Sequence, residues 1–199
     1  MTDWSAYFHL PEGTVPSDSV RVVHAARPDD YVQDEEHVRL DGDAWLIETR
    51  ESGFFQRLFH KGRSVQLFDV EDPGCTRCLL VYRATMKTEA LQGHAYLEMW
   101  CRMAGGGKFF SRGLTKQAEG TMDWVEYETP FFLREGDCPE LVELNVVVEG
   151  AGKVWVRDVE LLAVDLGDEA YGAIEKVCYG RADERPESGA TPHEPGLLG

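Results

Sequence analysis

GKVWVRDVEL, residues 152–161, closes a run of short segments between residues 79 and 164 in which apolar and polar residues alternate. In its final strand the apolar residues are even-numbered before Arg157 and odd-numbered after Asp158. Alternate side chains of a strand point to opposite faces, so a change of parity within one strand requires an extra residue. The sequence therefore predicts a β-bulge near Arg157-Asp158.

The segments before this strand share the two-residue period, and Gly, Pro or Asp turns separate them. They are residues 79–87, 95–103, 124–133 and 142–148, with a further short strand at 108–111. Short alternating strands with regular turns are typical of an all-β, antiparallel sandwich. The alternation places a set of side chains between two sheets: Leu97, Met99, Val142 or Leu144, Val146 and Val159.

The chain divides into one large domain and smaller flanking parts. Residues 1–40 are expected to be an extension that packs on or leads into the sandwich of residues 41–166. Residues 167–179 are expected to form a short helix with Asp168 as its N-cap, and residues 180–199, rich in Pro and Gly, a disordered tail. Earlier strands are expected at 19–23, 44–49 and 64–70, and residues 54–59 are an apolar stretch.

Charge excludes two classes of partner. The chain of 199 residues has 20 Lys and Arg against 36 Asp and Glu, a formal net charge of −16. This acidity argues against nucleic acid and against an anionic membrane surface. Residues 1–9 lack the pattern of a secretory signal, and no apolar run approaches the roughly 18 residues of a membrane span. A cytoplasmic location is expected, although the mature form of a secreted protein would also lack a signal.

The cysteines are five in number, and an odd set favours free thiols. Cys75-Thr76-Arg77-Cys78 has the spacing of a zinc knuckle or of a redox pair. No second pair of zinc ligands accompanies it, and Cys78 opens a strand rather than a helix. The spacing is therefore interpreted as coincidental.

Three blocks in order resemble a known family of folds. They are the strand of residues 96–102 with its central Trp100, the WVEY and PFF segments of residues 124–132, and the final strand of residues 154–161. Together they resemble galactose-binding-like jelly rolls, in particular xylan- and cellulose-binding carbohydrate-binding modules, over roughly residues 42–164. The resemblance implies a jelly-roll sandwich with a non-catalytic, carbohydrate-binding role. Such modules typically end in a hydrophobic–Asp–Asp–Val–x–Leu strand, and Arg157 replaces the first Asp here.

One strand face carries the candidate ligand site. The strand of residues 95–103 has apolar side chains at its odd-numbered positions, and its even-numbered positions are Tyr96, Glu98, Trp100 and Arg102. Asn145 lies with two glutamates on a neighbouring strand. Flat aromatic rings suit the CH faces of a sugar, and charged or amide groups suit its hydroxyls. Alternatively, the N-terminal segments cover this face, or it is a polar exterior that contains two aromatic residues.

Metal and catalytic motifs are weaker. Structural calcium is common in the resembled modules, and Asp41, Asp43 and Asp158 are the candidate oxygen ligands if it staples the chain ends. Alternatively, Asp41 and Asp43 are turn residues, and Asp158 is a carboxylate at the surface or at the end of a strand ladder. No other cofactor is expected. The chain has no Gly-x-Ser-x-Gly elbow and no His-x-x-x-His pair, so no enzymatic activity is expected.

Two functions follow from different readings of the same fold. The first is non-catalytic binding of a carbohydrate or a similar polar ligand. The second is a cytoplasmic protein–protein interaction or structural module whose exposed aromatic residues contact another polypeptide. The fold resemblance favours the first, and the missing signal favours the second.

Overall fold

The computed structural model describes residues 3–15, 20–50 and 62–180. Its elements are a 3-10 helix η1 (Trp4–Phe8), strands β1 (Val20–Ala25), β2 (Val38–Asp41), β3 (Ala44–Thr49), β4 (Arg63–Glu71), β5 (Cys78–Met103), β6 (Lys108–Arg112), β7 (Ala118–Phe132) and β8 (Pro139–Asp165), and helix α1 (Asp168–Tyr179). All strand pairs in these ranges are antiparallel. The predicted apolar stretch at 54–59 and most of the predicted tail lie outside the described residues.

The long strands β5 and β8 organise the sheet. They pair from Cys78 opposite Asp165 to Met103 opposite Pro139, with an interruption between Glu89 and Gln92. On one side of this interruption β1, β3 and most of β7 join them, and β2 adds to β3; we call this part the first sheet. On the other side β4 and β6 join them, and we call this part the second sheet.

Two glycines face each other where the two sheets meet. Gly93 and Gly150 are paired and have φ angles of 129° and 118°. A Cβ on Gly93 would lie 1.8 Å from the carbonyl oxygen of Glu149, and one on Gly150 would lie 1.8 Å from that of Gln92. Only glycine adopts this backbone conformation without strain and allows so close an approach.

One apolar core joins the two sheets. It contains the side chains predicted from the alternation, all of them buried: Leu97, Met99, Val142, Leu144, Val146 and Val159. In β5 the core residues are even-numbered in the first sheet, such as Leu80 and Met86, and odd-numbered in the second. The fold is therefore an antiparallel β-sandwich with a short C-terminal helix, as the sequence predicted.

The predicted β-bulge is confirmed. Arg83 pairs with Glu160 and Thr85 pairs with Arg157, so two steps along β5 correspond to three along β8. Asp158 has a φ of 51°, in the left-handed region that bulges often use. The extra residue allows Val156 and Val159 to point into the same core.

A second apolar cluster covers the outer face of the first sheet. Its members come from η1, α1 and the strands beneath them: Trp4, Phe8, Val15, Leu79, Val81, Phe132, Leu162, Val164, Leu166, Ala170, Tyr171 and Ile174. The predicted short C-terminal helix is present as α1, but its N-cap is Gly167 and not Asp168. The Asp168 carboxylate binds Arg77 instead of the helix N-terminus. No helix in the described ranges has the length and apolar character to cross a membrane.

Candidate functional site

The outer face of the second sheet carries the predicted ligand residues. Odd-numbered residues of β5 fill the core there, so residues 96, 98, 100 and 102 point outward. Glu98 lies opposite Asn145 of β8 and opposite Arg112 of β6. Trp100 lies opposite Glu143 on one side and Phe110 on the other. The antiparallel register therefore brings the predicted residues of β5 and β8 together.

Glu98 is the centre of a polar cluster. Its side chain is buried, with 3% of the residue exposed. The carboxylate accepts hydrogen bonds from Ser64 Oγ at 2.9 Å, Trp100 Nε1 at 2.9 Å and Arg112 Nε at 2.6 Å. These three donors belong to three different strands, and the bond from Arg112 is charge-assisted. The cluster therefore holds β4, β5 and β6 in register and fixes the orientation of the indole.

Trp100 is half-buried and held on several sides. Its ring centroid lies 4.8 Å from that of Phe110, with an angle of 49° between the planes. The ammonium of Lys108 lies 4.9 Å from the same centroid and forms an ion pair with Glu143 at 2.8 Å. A ring fixed in this way loses little conformational entropy when a ligand stacks on it.

Asn145 has an unusual environment. It is 4% exposed, and its Oδ1 atom has no hydrogen-bond partner among the residues that the structure describes. A buried carbonyl oxygen without a donor costs about 1–3 kcal/mol. A hydroxyl or N–H group supplied from outside the protein would satisfy this oxygen, and Asn145 lies beside Glu98 on the same face.

Tyr96 and Arg102 lie at the two ends of this face. The hydroxyl of Tyr96 donates to Glu149 Oε1 at 3.0 Å, and burial, followed by this bond, raises the pKa of Tyr96 to about 12. Its ring is buried, so it supports the face rather than exposing a flat surface. Arg102 is exposed and paired with Glu140 at 2.9 Å.

Three residues that contact Glu98 or Trp100 were not predicted from the sequence, namely Ser64, Phe110 and Arg112. The short strand at 108–111 was expected, but nothing in the sequence showed which edge of the sheet it joins. Its pairing with residues 98–102 of β5 brings Phe110 and Arg112 beside Trp100 and Glu98.

The three calcium candidates have other partners. Asp41 accepts a hydrogen bond from Trp155 Nε1 at 2.8 Å. Asp43 and Asp158 both bind Arg157, at 3.3 Å and 3.4 Å. Among the described residues, no group of three or more His, Cys, Asp or Glu side chains is arranged to hold a metal. The guanidinium of Arg157 supplies the positive charge between Asp43 and Asp158, and these residues do not form the anticipated cluster.

Comparison with known proteins finds partial similarities to solved structures. No family model and no curated protein matches the chain. Among solved structures, the xylan-binding domain CBM22-1 of Xyn10C from Paenibacillus barcinonensis is 11% identical, with a TM-score of 0.47 over 76% of this chain and all of that domain. A family 16 carbohydrate-binding module is 9% identical, with a TM-score of 0.42 over 68% of this chain and 89% of the module.

A family 29 carbohydrate-binding module in complex with mannohexaose is a third similar structure. It is 14% identical, with a TM-score of 0.38 over 65% of this chain and 75% of the module. All three are carbohydrate-binding modules, the class that the sequence resembles. At these identities and TM-scores the similarities assign no ligand to this chain.

Proposed function

We propose that this protein is a non-catalytic binding module for a carbohydrate or a similar polar ligand on the outer face of the second sheet. The binding residues are Tyr96, Glu98, Trp100, Arg102 and Asn145. The observation that carries the proposal is that Oδ1 of buried Asn145 has no partner within residues 3–15, 20–50 and 62–180, while the neighbouring Glu98 fixes the indole of Trp100.

The chemistry of the face suits a polyhydroxylated ligand. A sugar hydroxyl donates to Asn145 Oδ1 and so satisfies the buried acceptor. The CH face of the sugar packs on the exposed part of Trp100, and the guanidinium of Arg102, at the exposed end of β5, donates to further hydroxyls. Tyr96 and Glu98 act mainly by holding their neighbours in place, because their own polar atoms already have partners.

The test is a titration of the full chain with xylo- and cello-oligosaccharides, in which tryptophan fluorescence and calorimetry measure binding. Asn145→Ala and Trp100→Ala should each weaken binding by about tenfold or more, the equivalent of one lost hot-spot contact. Asn145→Ala should leave the melting temperature unchanged or higher, because it removes an unsatisfied buried acceptor.

Trp124→Ala is the matched control, since Trp124 lies on the first sheet, where the Arg157 guanidinium is 4.1 Å from its ring centroid. It should leave binding unchanged. The proposal fails if none of the oligosaccharides binds, or if Asn145→Ala and Trp100→Ala bind as the parent chain does.

A second candidate function is protein–protein interaction, and one observation favours it. Trp155 lies on the outer face of the first sheet, with Lys87 and Lys153 at 5.6 Å and 5.7 Å from its ring centroid. Trp is enriched among the residues that contribute most to binding at protein interfaces. Binding of a polypeptide that is lost on Trp155→Ala and kept on Trp100→Ala would establish this function instead.

A further inference from the structure

Cys75 and Cys78 lie together at the start of β5. Cys75 belongs to the connection from β4, Cys78 is the first residue of β5, and Arg77 between them has a φ of 49°. The cysteines are 4% and 2% exposed. Gly74 and Thr76, on either side of Cys75, are exposed, so Cys75 is a buried residue between two residues at the surface.

An arginine from another strand reaches this pair. Arg21 of β1, an exposed residue, places Nη2 3.3 Å from Cys75 Sγ. Residues 21 and 75 are brought together only by the pairing of β1 with β8, beside β5. A guanidinium beside a sulfur favours the thiolate, which is the nucleophilic form.

The pKa values of the two thiols are shifted in opposite directions. A hydrogen bond from the Cys78 thiol lowers the pKa of Cys75 to about 6, with Arg21 acting in the same direction and burial and Asp165 acting against it. The same hydrogen bond, followed by burial, raises the pKa of Cys78. The Pro73 carbonyl oxygen, 3.1 Å from Cys75 Sγ, also opposes the thiolate. These opposite shifts make Cys75 the member of the pair that forms a thiolate more readily.

We propose that Cys75 and Cys78 are a redox-active dithiol that a hydroperoxide converts into an intramolecular disulfide. The Cys75 thiolate attacks one peroxide oxygen, so an S–O bond forms, the O–O bond breaks and, with a proton, one water or alcohol leaves. Cys78 then loses its proton and attacks the Cys75 sulfur, which forms the S–S bond and releases the second oxygen as water. The sulfurs together give up two electrons, and the peroxide accepts them.

The other cysteines provide internal controls. Cys101 is buried in the core, and burial raises its pKa to about 12, so it is expected to be inert. Cys138 and Cys178 are exposed. Disulfide formation also removes the negative charge that Arg21 binds, so oxidation weakens one contact of the edge strand β1.

The experiment uses the full chain with Cys138→Ser and Cys178→Ser, treated with hydrogen peroxide. The expected product is lighter by two hydrogen atoms, with a Cys75–Cys78 cross-link in the peptide map and Cys101 still alkylatable. The rate should rise with pH to a plateau, with a midpoint near 6 instead of the ordinary cysteine value. Adding Cys78→Ser should leave a sulfenic acid at Cys75 that dimedone traps.

Arg21 supplies the sharper test. Arg21→Ala should slow the reaction at pH 6 by about three- to tenfold, and Arg21→Lys should restore most of the rate, because only the charge is needed. The far-ultraviolet circular dichroism of each variant shows that the fold is retained. The proposal is overturned if Cys75 and Cys78 remain alkylatable after peroxide, if they oxidise without a cross-link, or if Arg21→Ala reacts as fast as the parent chain.

Discussion

The indole Nε1 of Trp100 donates a hydrogen bond to Glu98 Oε1, two residues earlier on the same face of β5, at 2.9 Å. The same oxygen also accepts from Ser64, and Glu98 Oε2 accepts from Arg112. The polar edge of Trp100 is thus satisfied inside the protein, and its apolar surface is what remains for contact with other groups. This arrangement explains how a buried carboxylate and a half-exposed aromatic ring share one strand face.

Trp100→Phe tests this hydrogen bond directly. The substitution keeps an aromatic ring beside Phe110 but leaves Glu98 with one donor fewer, so the free energy of unfolding should fall by about 1–2 kcal/mol. Chemical denaturation measures it. An unchanged stability would show that the bond from Trp100 to Glu98 contributes nothing, and that Ser64 and Arg112 suffice for the carboxylate.

Gly150→Ala should be severely destabilising. The added Cβ would lie 1.8 Å from the carbonyl oxygen of Gln92, at a φ of 118° that other residues rarely adopt. We expect a loss of more than about 3 kcal/mol, or failure to fold, because strain and overlap act together. Gly105→Ala is the control, since a Cβ there meets no atom within 4 Å, and its stability should match that of the parent chain.

Leu144→Ala tests the core between the two sheets. Leu144 is fully buried, and its truncation should cost about 2–5 kcal/mol of unfolding free energy. Leu40→Ala, at a residue that is 53% exposed, should change stability by less than about 0.5 kcal/mol. Equal melting temperatures for the two variants would contradict the sandwich packing.

Stability should fall in alkali through two tyrosines that are at least partly buried. Burial raises the pKa of Tyr96, and also of Tyr7, to about 12, above the ordinary value of about 10 in the unfolded chain. The folded state therefore retains these protons where the unfolded state loses them. The stability that depends on them is complete below pH 10 and is lost as the pH rises through 12. Tyr96→Phe should reduce this loss, which denaturation at a series of pH values measures, and an equally steep loss in Tyr96→Phe would contradict the assignment to Tyr96.

The core could be predicted because strand alternation is a local property. Residues such as Met99 and Val146 are apolar at every second position, and one buried face per strand is enough to place them between the sheets. The same logic predicted the bulge at Asp158. The apolar residues change there from even to odd positions, and one extra residue in the strand is the simple way to keep both sets in the core. Calcium ligation by Asp41, Asp43 and Asp158 could not be judged in this way, because the position of Arg157 relative to Asp43 depends on the pairing of β3 with β8.

By itself the sequence determined an antiparallel sandwich, its main core residues, the bulge in the last strand and a short C-terminal helix, because each depends on neighbours along the chain. Only the tertiary structure decided which side chains meet across strands. It placed Arg112 and Ser64 on Glu98, left Asn145 Oδ1 without a partner in the described part of the chain and brought Arg21 to Cys75. These contacts join residues between 14 and 54 positions apart in the chain. Strand order and register create them, and neither is a property of any single segment.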